Sequence, residues 1–447
     1  MKIVNTKKGL NLPITGTPDQ SVSMGAQIKS VAALGSDYIG LKPKMLVQEG
    51  DDVKLGEPLF CHKVNPEAVI VSPATGKVQA INRGARRVLE SVVVSVSDSD
   101  DDGIDFSTIG GADTPEKITV KLCAAGLWTS FRTRPYSKVP DVADKPVAIF
   151  VSAMDSEPLA ADANLIINER LSDFQAGLEV VARLTEGSCF VCQSPDAGWS
   201  IEPKGNISQV GFNGPHPAGL AGTHIHFLAP PVSEGSVWTI AYPDVIRIGA
   251  LFQTGRLDTE TIISVAGPAA KNPRLVRTRM GASLHELLDG EMDTQRSVRV
   301  LSGSVLSGRA AEGSTAFLGR YHRQVSLIEE DKKQIPMGWI RPMAGKFAFQ
   351  PVLGSAFSKK LYDLTSNLNG GRRAMVPIGT FEMLMPQDFL PTQLLRAMLV
   401  KDTDSAQAMG ILELDEEDLG LVGFACPAKY EYGQALRECL DKIEIEG

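Results

Sequence analysis

Pro146–Ala153, PVAIFVSA, constrains the fold more than any other stretch of this chain. It is apolar at almost every position rather than at alternate ones. A strand of that kind needs cover on both faces, so it belongs inside a parallel sheet flanked by helices. A helix is supplied downstream, where Phe174, Leu178, Val181 and Leu184 recur at helical spacing between Asp173 and Leu184. Gly187 suits its C-terminal stop. Cys189–Cys192 and Gln209–Phe212 read as the next two strands. Strand, helix and strand in this order predict a layered α/β domain.

We place that Rossmann-like α/β domain at residues 104–256. A dinucleotide there would need a glycine-rich turn between strand and helix, so that backbone N–H groups can approach the pyrophosphate. After Val151 the chain reads SAMDSEPLAADAN, without a glycine. Neither G-x-G-x-x-G nor G-x-x-x-x-G-K-[ST] occurs anywhere. Cys189 and Cys192 form a C-x-x-C, but on a strand residues i and i+3 face opposite sides, so two separate core thiols are expected rather than a metal pair.

Before this domain, residues 43–60 and 69–84 are two halves, each a short strand, a glycine-centred turn and another strand. The string EGD-x-V-x-x-G-x-P-L carries a resemblance to the flattened β-sandwich of biotinyl and lipoyl carrier domains, a barrel-sandwich hybrid, placed at residues 36–98 behind an N-terminal segment 1–35. No Met-Lys-Met hairpin is present, and Lys63 after Cys61-His62 is a poor substitute, so modification is not expected. The acidic run 97–103, SDSDDDG, reads as a linker and domain boundary.

Beyond the α/β domain, Thr261–Gly267, Leu275–Arg279 and Ser297–Gly303 read as strands, and Ser283–Leu288 as a short helix with Ser283 and Glu286 in capping-box spacing. His285 on it reads as a surface or cap residue. This pattern resembles a soluble-ligand-binding β-grasp (SLBB-like) domain, residues 257–330. A largely helical C-terminal domain, 331–447, follows, with Leu394, Leu395, Met398 and Leu399 as an apolar stripe. The fold class is therefore α/β multidomain.

Two stretches concentrate chemistry. In AGLWTSFRTRPYSKVP, Trp128, Phe131 and Tyr136 interleave with Arg132, Arg134 and Lys138. They form either a stacking surface for an aromatic ligand such as a quinone or flavin, or a basic loop with its aromatics packed inside. In Gly211–Pro231, GFNGPHPAGLAGTHIHFLAPP, three of the chain's six histidines meet a high density of proline and glycine. On a strand His224 and His226 would share a face and could join His216 on a metal; on a helix begun near Gly222 they would point apart. The proline and glycine density favours a rigid loop feeding a helix.

A net charge of −8 argues against a nucleic-acid partner, which needs clustered cations. The start has no apolar core before a small-residue cleavage site, so no signal peptide is expected. The most apolar run, Val237–Phe252, is broken by Pro243, Asp244 and Arg247 and is not expected to span a membrane. Six scattered cysteines in a long chain fit reduced cytoplasmic thiols better than a disulfide framework.

HPAGLAGTHIHFLAPP, KKGLNLPITGTP, GLWTSFRTRPYSKVP and VAGPAAKNPRLVRTRMGASLHELLDG together resemble the signature of the NqrA family, the A subunits of the sodium-translocating NADH:quinone oxidoreductases, in order and over essentially the whole chain. The layout is also similar to the C subunit of the related Rnf complex, but the C-x2-C-x2-C-x3-C-P run of its clusters is reduced here to Cys426-Pro427, with Cys439 isolated. The resemblance implies a peripheral protein on the cytoplasmic face of the bacterial inner membrane, docked on the membrane-embedded B subunit beside the C, D, E and F subunits. FMN, riboflavin, FAD and iron centres would belong to those partners, and ubiquinone would be the substrate of the whole. This chain would hold no cofactor, carry no catalytic residue, and help shape the path of quinone. The alternative is a free-standing flavin- or NADH-dependent dehydrogenase, against which the missing glycine loop argues. Candidate quinone or partner contacts are Trp128, Phe131, Arg132, Arg134, Tyr136, Lys138, His216, His224 and His226.

Overall fold

A computed structural model describes all residues except 98–102, 203, 229–234, 294, 334, 338–340, 353 and 447. The proposed linker at 97–103 and the end of the Gly211–Pro231 stretch therefore lie largely or partly outside the described residues. The central sheet has six strands: β1 (Lys2–Asn5), β2 (Arg132–Arg134), β3 (Ala148–Ala153), β4 (Ser188–Gln193), β5 (Ile207–Asn213) and β6 (Val237–Ala241). Their spatial order is β1-β5-β4-β3-β6-β2. All pairs are parallel except β6 with β2. β3 is buried at every position, as an apolar run without alternation requires.

Helices α1 (Ala163–Glu169) and α2 (Leu171–Ala182) follow β3, α3 (Ala221–Leu228) follows β5, and α4 (Tyr242–Thr254) follows β6. Gly187 is not the stop of α2, which ends on Arg183 in right-handed conformation. Its absent side chain serves a close approach instead, since a Cβ there would lie 1.8 Å from the Val147 carbonyl oxygen. Cys189 and Cys192 enter the two opposite cores of the sheet, and both are free thiols.

A second six-stranded sheet runs Arg309–Ala310, Val298–Ser302, Gln324–Glu329, Glu260–Ala266, Arg274–Arg279, Asp19–Met24. Two smaller sheets form the sandwich before residue 97: Ser30–Leu34, Leu89–Val96, Gly76–Arg83, Asp52–Val53, and Pro43–Met45, Pro58–His62, Val69–Val71. The first 24 residues thus edge two different sheets, β1 on the central one and Asp19–Met24 on the second. The sandwich and the second sheet share one core, with Val31, Val92 and Val94 packed in the same cluster as Ile263, Val265 and Val325.

The Ser283–Glu286 pair does not cap its own helix. Ser283 makes no side-chain cap bond. The Glu286 carboxylate instead accepts from the Lys29 N–H at 2.6 Å and the Ser30 hydroxyl at 2.6 Å, tying the helix to the sandwich. In the C-terminal part the helices begin at Thr380; α5 (Pro391–Val400) and α6 (Tyr432–Glu446) form the core there, with Leu394, Leu395 and Met398 buried against Leu436 and Leu440. Between 341 and 379 the described residues contain one 3-10 turn, Gly354–Phe357, and isolated bridges.

Candidate functional site

The central sheet fixes where a ligand could lie. From β3 the chain runs outward to β4 and β5, then returns to β6 on the other side of β3. Open α/β sheets bind ligands at that divergence, outside the carboxyl ends of the strands. A cavity of about 430 Å3 opens there, lined by Ser152 at the end of β3, by Asp155 and Glu157 after it, by Thr239–Ala241 at the end of β6, and by Pro243 and Asp244 at the start of α4. The sandwich contributes Asp37 and Tyr38, the second-sheet region contributes Arg320–Arg323, and the C-terminal part contributes Asp415.

Ion pairs dominate the walls. Asp244, in the first turn of α4, receives Arg247 Nη1 at 2.9 Å and Arg320 Nη1 at 2.9 Å. Asp155 receives Arg323 Nη2 at 2.9 Å. Glu157 accepts from the Ser304 hydroxyl at 2.6 Å and the Ser307 hydroxyl at 2.9 Å. Burial, and then the Asp155 charge, push Glu157 up to about 7, so it exchanges a proton near neutrality. His322 bonds the Ser302 hydroxyl at 2.8 Å, and burial lowers it to about 3, so it stays neutral. The Arg132 guanidinium lies over the Tyr321 ring, 5.0 Å from its centroid.

The two stretches singled out in the sequence border this cavity but mostly serve packing. Trp128 and Phe131 are core residues in edge contact at 5.7 Å, and the Trp128 indole donates to the Pro140 carbonyl at 2.9 Å. Neither ring offers a face to a ligand; of the two arrangements open for this loop, these two aromatics pack inside, while Tyr136 is half-buried against the C-terminal core. Only Arg132 of the named loop residues lines the cavity. Arg134 is wholly buried, with Nη2 3.0 Å from Asp415 Oδ2. The Tyr136 carbonyl accepts from Arg437 at 2.7 Å, and Lys138 pairs with Glu444. The basic residues of this loop therefore fasten the C-terminal helices.

The histidines are drawn to three places. Helix α3 starts at Ala221, so His224 and His226 diverge. His216 is buried, bonded through Nδ1 to the Ser156 hydroxyl at 3.2 Å, and burial lowers it to about 4. His224 is fully buried, bonded to the Ala218 carbonyl at 3.1 Å and packed on Phe212 at 4.3 Å; burial lowers it to about 3. His226 Nε2 accepts the Asp388 N–H at 2.9 Å, which leaves Nδ1–H to donate to Glu413 at 2.9 Å. Among the described residues no group of three His, Cys, Asp or Glu could hold a metal ion. No helix of the described residues is long and apolar enough to cross a membrane.

Asp415 is a hub that the sequence did not single out. It takes Arg132 at 3.2 Å, Arg134 at 3.0 Å and the Ser137 hydroxyl at 2.8 Å. Burial alone would raise its carboxyl, but the Arg134 and Arg132 guanidiniums outweigh that and hold it well below the usual carboxylate range. The charged run Arg320–Arg323 was the signal that could have led to the cavity, because four polar residues beside a buried strand need partners.

Comparison with known proteins follows the same domain plan. Residues 4–97 match the NqrA N-terminal barrel-sandwich hybrid domain, residues 114–257 the NqrA second alpha/beta domain, and residues 262–313 the NQRA C-terminal domain. Proteins named as A subunits of the Na(+)-translocating NADH-quinone reductase are similar over their whole length and all of this chain: 51% identical in Vibrio parahaemolyticus, 50% in Pasteurella multocida and 50% in Neisseria gonorrhoeae. Among solved structures, an NAD+-reducing [NiFe]-hydrogenase chain aligns at 13% identity over 51% of this chain and 49% of its own, with a TM-score of 0.35, too low to carry an argument. Half of all positions are thus shared with these relatives from end to end, and the chain belongs to the family of Na(+)-translocating NADH-quinone reductase A subunits.

Proposed function

We propose that this chain is the peripheral A subunit of a sodium-translocating NADH:ubiquinone reductase. It docks at the cytoplasmic face on the membrane-embedded partners, the B subunit first among the B, C, D, E and F subunits, and helps form the path by which ubiquinone reaches its site. It holds no redox cofactor; FMN, riboflavin, FAD and iron centres reside in the partners.

The observation that carries the cofactor-free reading is the chemistry of the sheet's carboxyl edge. A nucleotide phosphate would seek the helix starts after β3 and β6. Both are taken by the chain's own acids: Asp162 caps α1, and Asp244 fills the first turn of α4 under two arginines. Asp155 and Glu157 line the approach. A phosphate placed there would meet carboxylates instead of free N–H groups. A neutral ring is better suited to a cavity of this size, walled by Tyr38, Tyr321 and charge-balanced pairs.

The test compares the chain alone with the chain in its membranes. The lone chain should be colourless and give no heat with FMN or NADH, while mild-detergent capture of the tagged chain should bring membrane subunits and flavin absorbance together. A lone chain that binds NADH or flavin would overturn the cofactor-free reading and favour the free-standing dehydrogenase.

A further inference from the structure

The chain carries net charge −8, yet between Asp331 and Ile378 it holds eight Lys and Arg against two Asp. The same stretch exposes Met337, Val352, Phe357, Leu361, Leu368, Val376 and Ile378. Apolar and cationic side chains are therefore concentrated together on an otherwise acidic molecule. Long stretches without regular structure are uncommon in compact domains and commonly functional, and exposed apolar groups in numbers mark a contact surface.

The stretch is fixed at its base. Asn367 donates to the Lys333 carbonyl at 2.7 Å, the Ser366 N–H donates to the Glu329 carbonyl at 3.0 Å, and Tyr362, buried, donates its N–H to the Pro13 carbonyl at 2.8 Å. The chain leaves the body near Lys333 and is held again at Phe347, whose ring lies on those of Phe424 and Tyr362, at Gln350, which donates to the Thr380 hydroxyl at 2.8 Å, and from Tyr362 onward. Between these anchors stands the 3-10 turn Gly354–Phe357, whose Gly354 N–H reaches the Pro342 carbonyl and so brings Arg341 alongside. Phe357 at its end is 96% exposed, next to Lys359, Lys360 and the exposed Leu361. Among the described residues Lys333, Lys359, Arg372 and Arg373 make no ion pair.

We propose that Phe357, Leu361 and Val352, with Lys333, Arg341, Lys359 and Lys360, form a surface that inserts shallowly into an anionic lipid bilayer. The proposal rests on the peripheral reading above and adds that the chain touches lipid itself. An exposed aromatic tip followed closely by two exposed lysines matches the layered chemistry of a membrane boundary, apolar side chains below the headgroups and cations among the phosphates. The excess positive charge favours lipid phosphate as the occupant, since a purely protein groove would need only the apolar part.

The experiment is co-sedimentation of the full chain with vesicles of phosphatidylcholine alone or mixed with phosphatidylglycerol. Binding is expected to the mixed vesicles only, and to fall as salt is raised. The double substitution Lys359→Ser/Lys360→Ser should weaken it roughly thirtyfold, and Phe357→Ser roughly tenfold or more. Because these side chains are exposed, circular dichroism should be unchanged. A wild-type chain that ignores the anionic vesicles overturns the proposal; so does a Phe357→Ser variant that binds them equally. If vesicles are ignored while Phe357→Ser no longer stays on native membranes, the occupant is a protein and the lipid assignment fails. Capture of the flavin-bearing membrane subunits by wild type tests the peripheral reading separately, and its failure with vesicle binding intact would sink that reading alone.

Discussion

At the scale of single residues, Asp418 shows how the fold sets a protonation state. Its Oδ2 accepts the Asp415 N–H at 2.9 Å, its Oδ1 has no hydrogen-bond partner among the described residues, and the backbone of Gly222 lies against it. Burial pushes the carboxyl up to about 8, against the opposing Arg134 charge. The native state then holds a proton that an ordinary aspartate, with a value of 3.8, releases. The stability from this group is intact below about pH 4 and is lost progressively as the pH rises toward and through about 8. Asp418→Asn keeps the shape and removes the titration. Urea unfolding at pH 6 and pH 9 should show the variant losing less stability than wild type, by ~1 kcal/mol or more. Equal losses would mean that the carboxyl is charged in the fold. Asp415, three residues away, has the opposite sign because arginines surround it; sequence spacing alone does not distinguish the two acids.

At the scale of elements, helices α2 and α4 cross with their backbones in contact. A Cβ on Gly177 would lie 1.9 Å from the Val245 carbonyl oxygen, and one on Gly249 would lie 1.8 Å from that of Asp173. In an isolated helix Gly→Ala gains about 1 kcal/mol. Here the sign should reverse, with Gly249→Ala costing ~1–3 kcal/mol in urea denaturation because the helices must part. A neutral or stabilising result would show that the crossing has room. The helix at 171–182 and the strand at 148–153 were legible in the sequence, because burial on one stripe or on two faces leaves a period. The crossing was not, since Gly177 and Gly249 interrupt no period. Gly187 and Glu286 were misread for a related reason: each matched a local terminus signal, while the Val147 carbonyl and the start of the Ser30–Leu34 strand, remote in sequence, claimed it. His226 likewise acquires its role only through Asp388 and Glu413, both remote in sequence.

At the scale of the whole molecule, the cavity exists because four parts of the chain meet, and one residue, through its backbone N–H and its side chain, holds three of them. Arg320 Nη1 sits 2.9 Å from Asp244 at the start of α4, Nη2 donates to Ser130 at 2.8 Å, and the Arg320 N–H donates to Asp37 of the sandwich at 2.7 Å. These positions are far apart in sequence, so the motifs disclosed the family and the domain order while the site's walls stayed hidden. Arg320→Met keeps the backbone bond to Asp37 but removes the guanidinium, leaving Asp244 with Arg247 alone and Ser130 without its donor. Breaking a buried pair on one side costs ~3–5 kcal/mol. The sandwich and the second sheet share one core, whereas the second sheet reaches the central sheet's core mainly through Ile262 and Leu275, so the loss should fall on the joint between the second sheet and the central one. Scanning calorimetry should then resolve two transitions where wild type shows one. Amide exchange should rise in Ala32–Tyr38 and Tyr242–Arg247 while the core of α5 and α6, held through Asp415 and Arg134, stays protected. Uniform loss of protection across all parts would instead mean that the molecule unfolds as one unit and that Arg320 is an ordinary core contact.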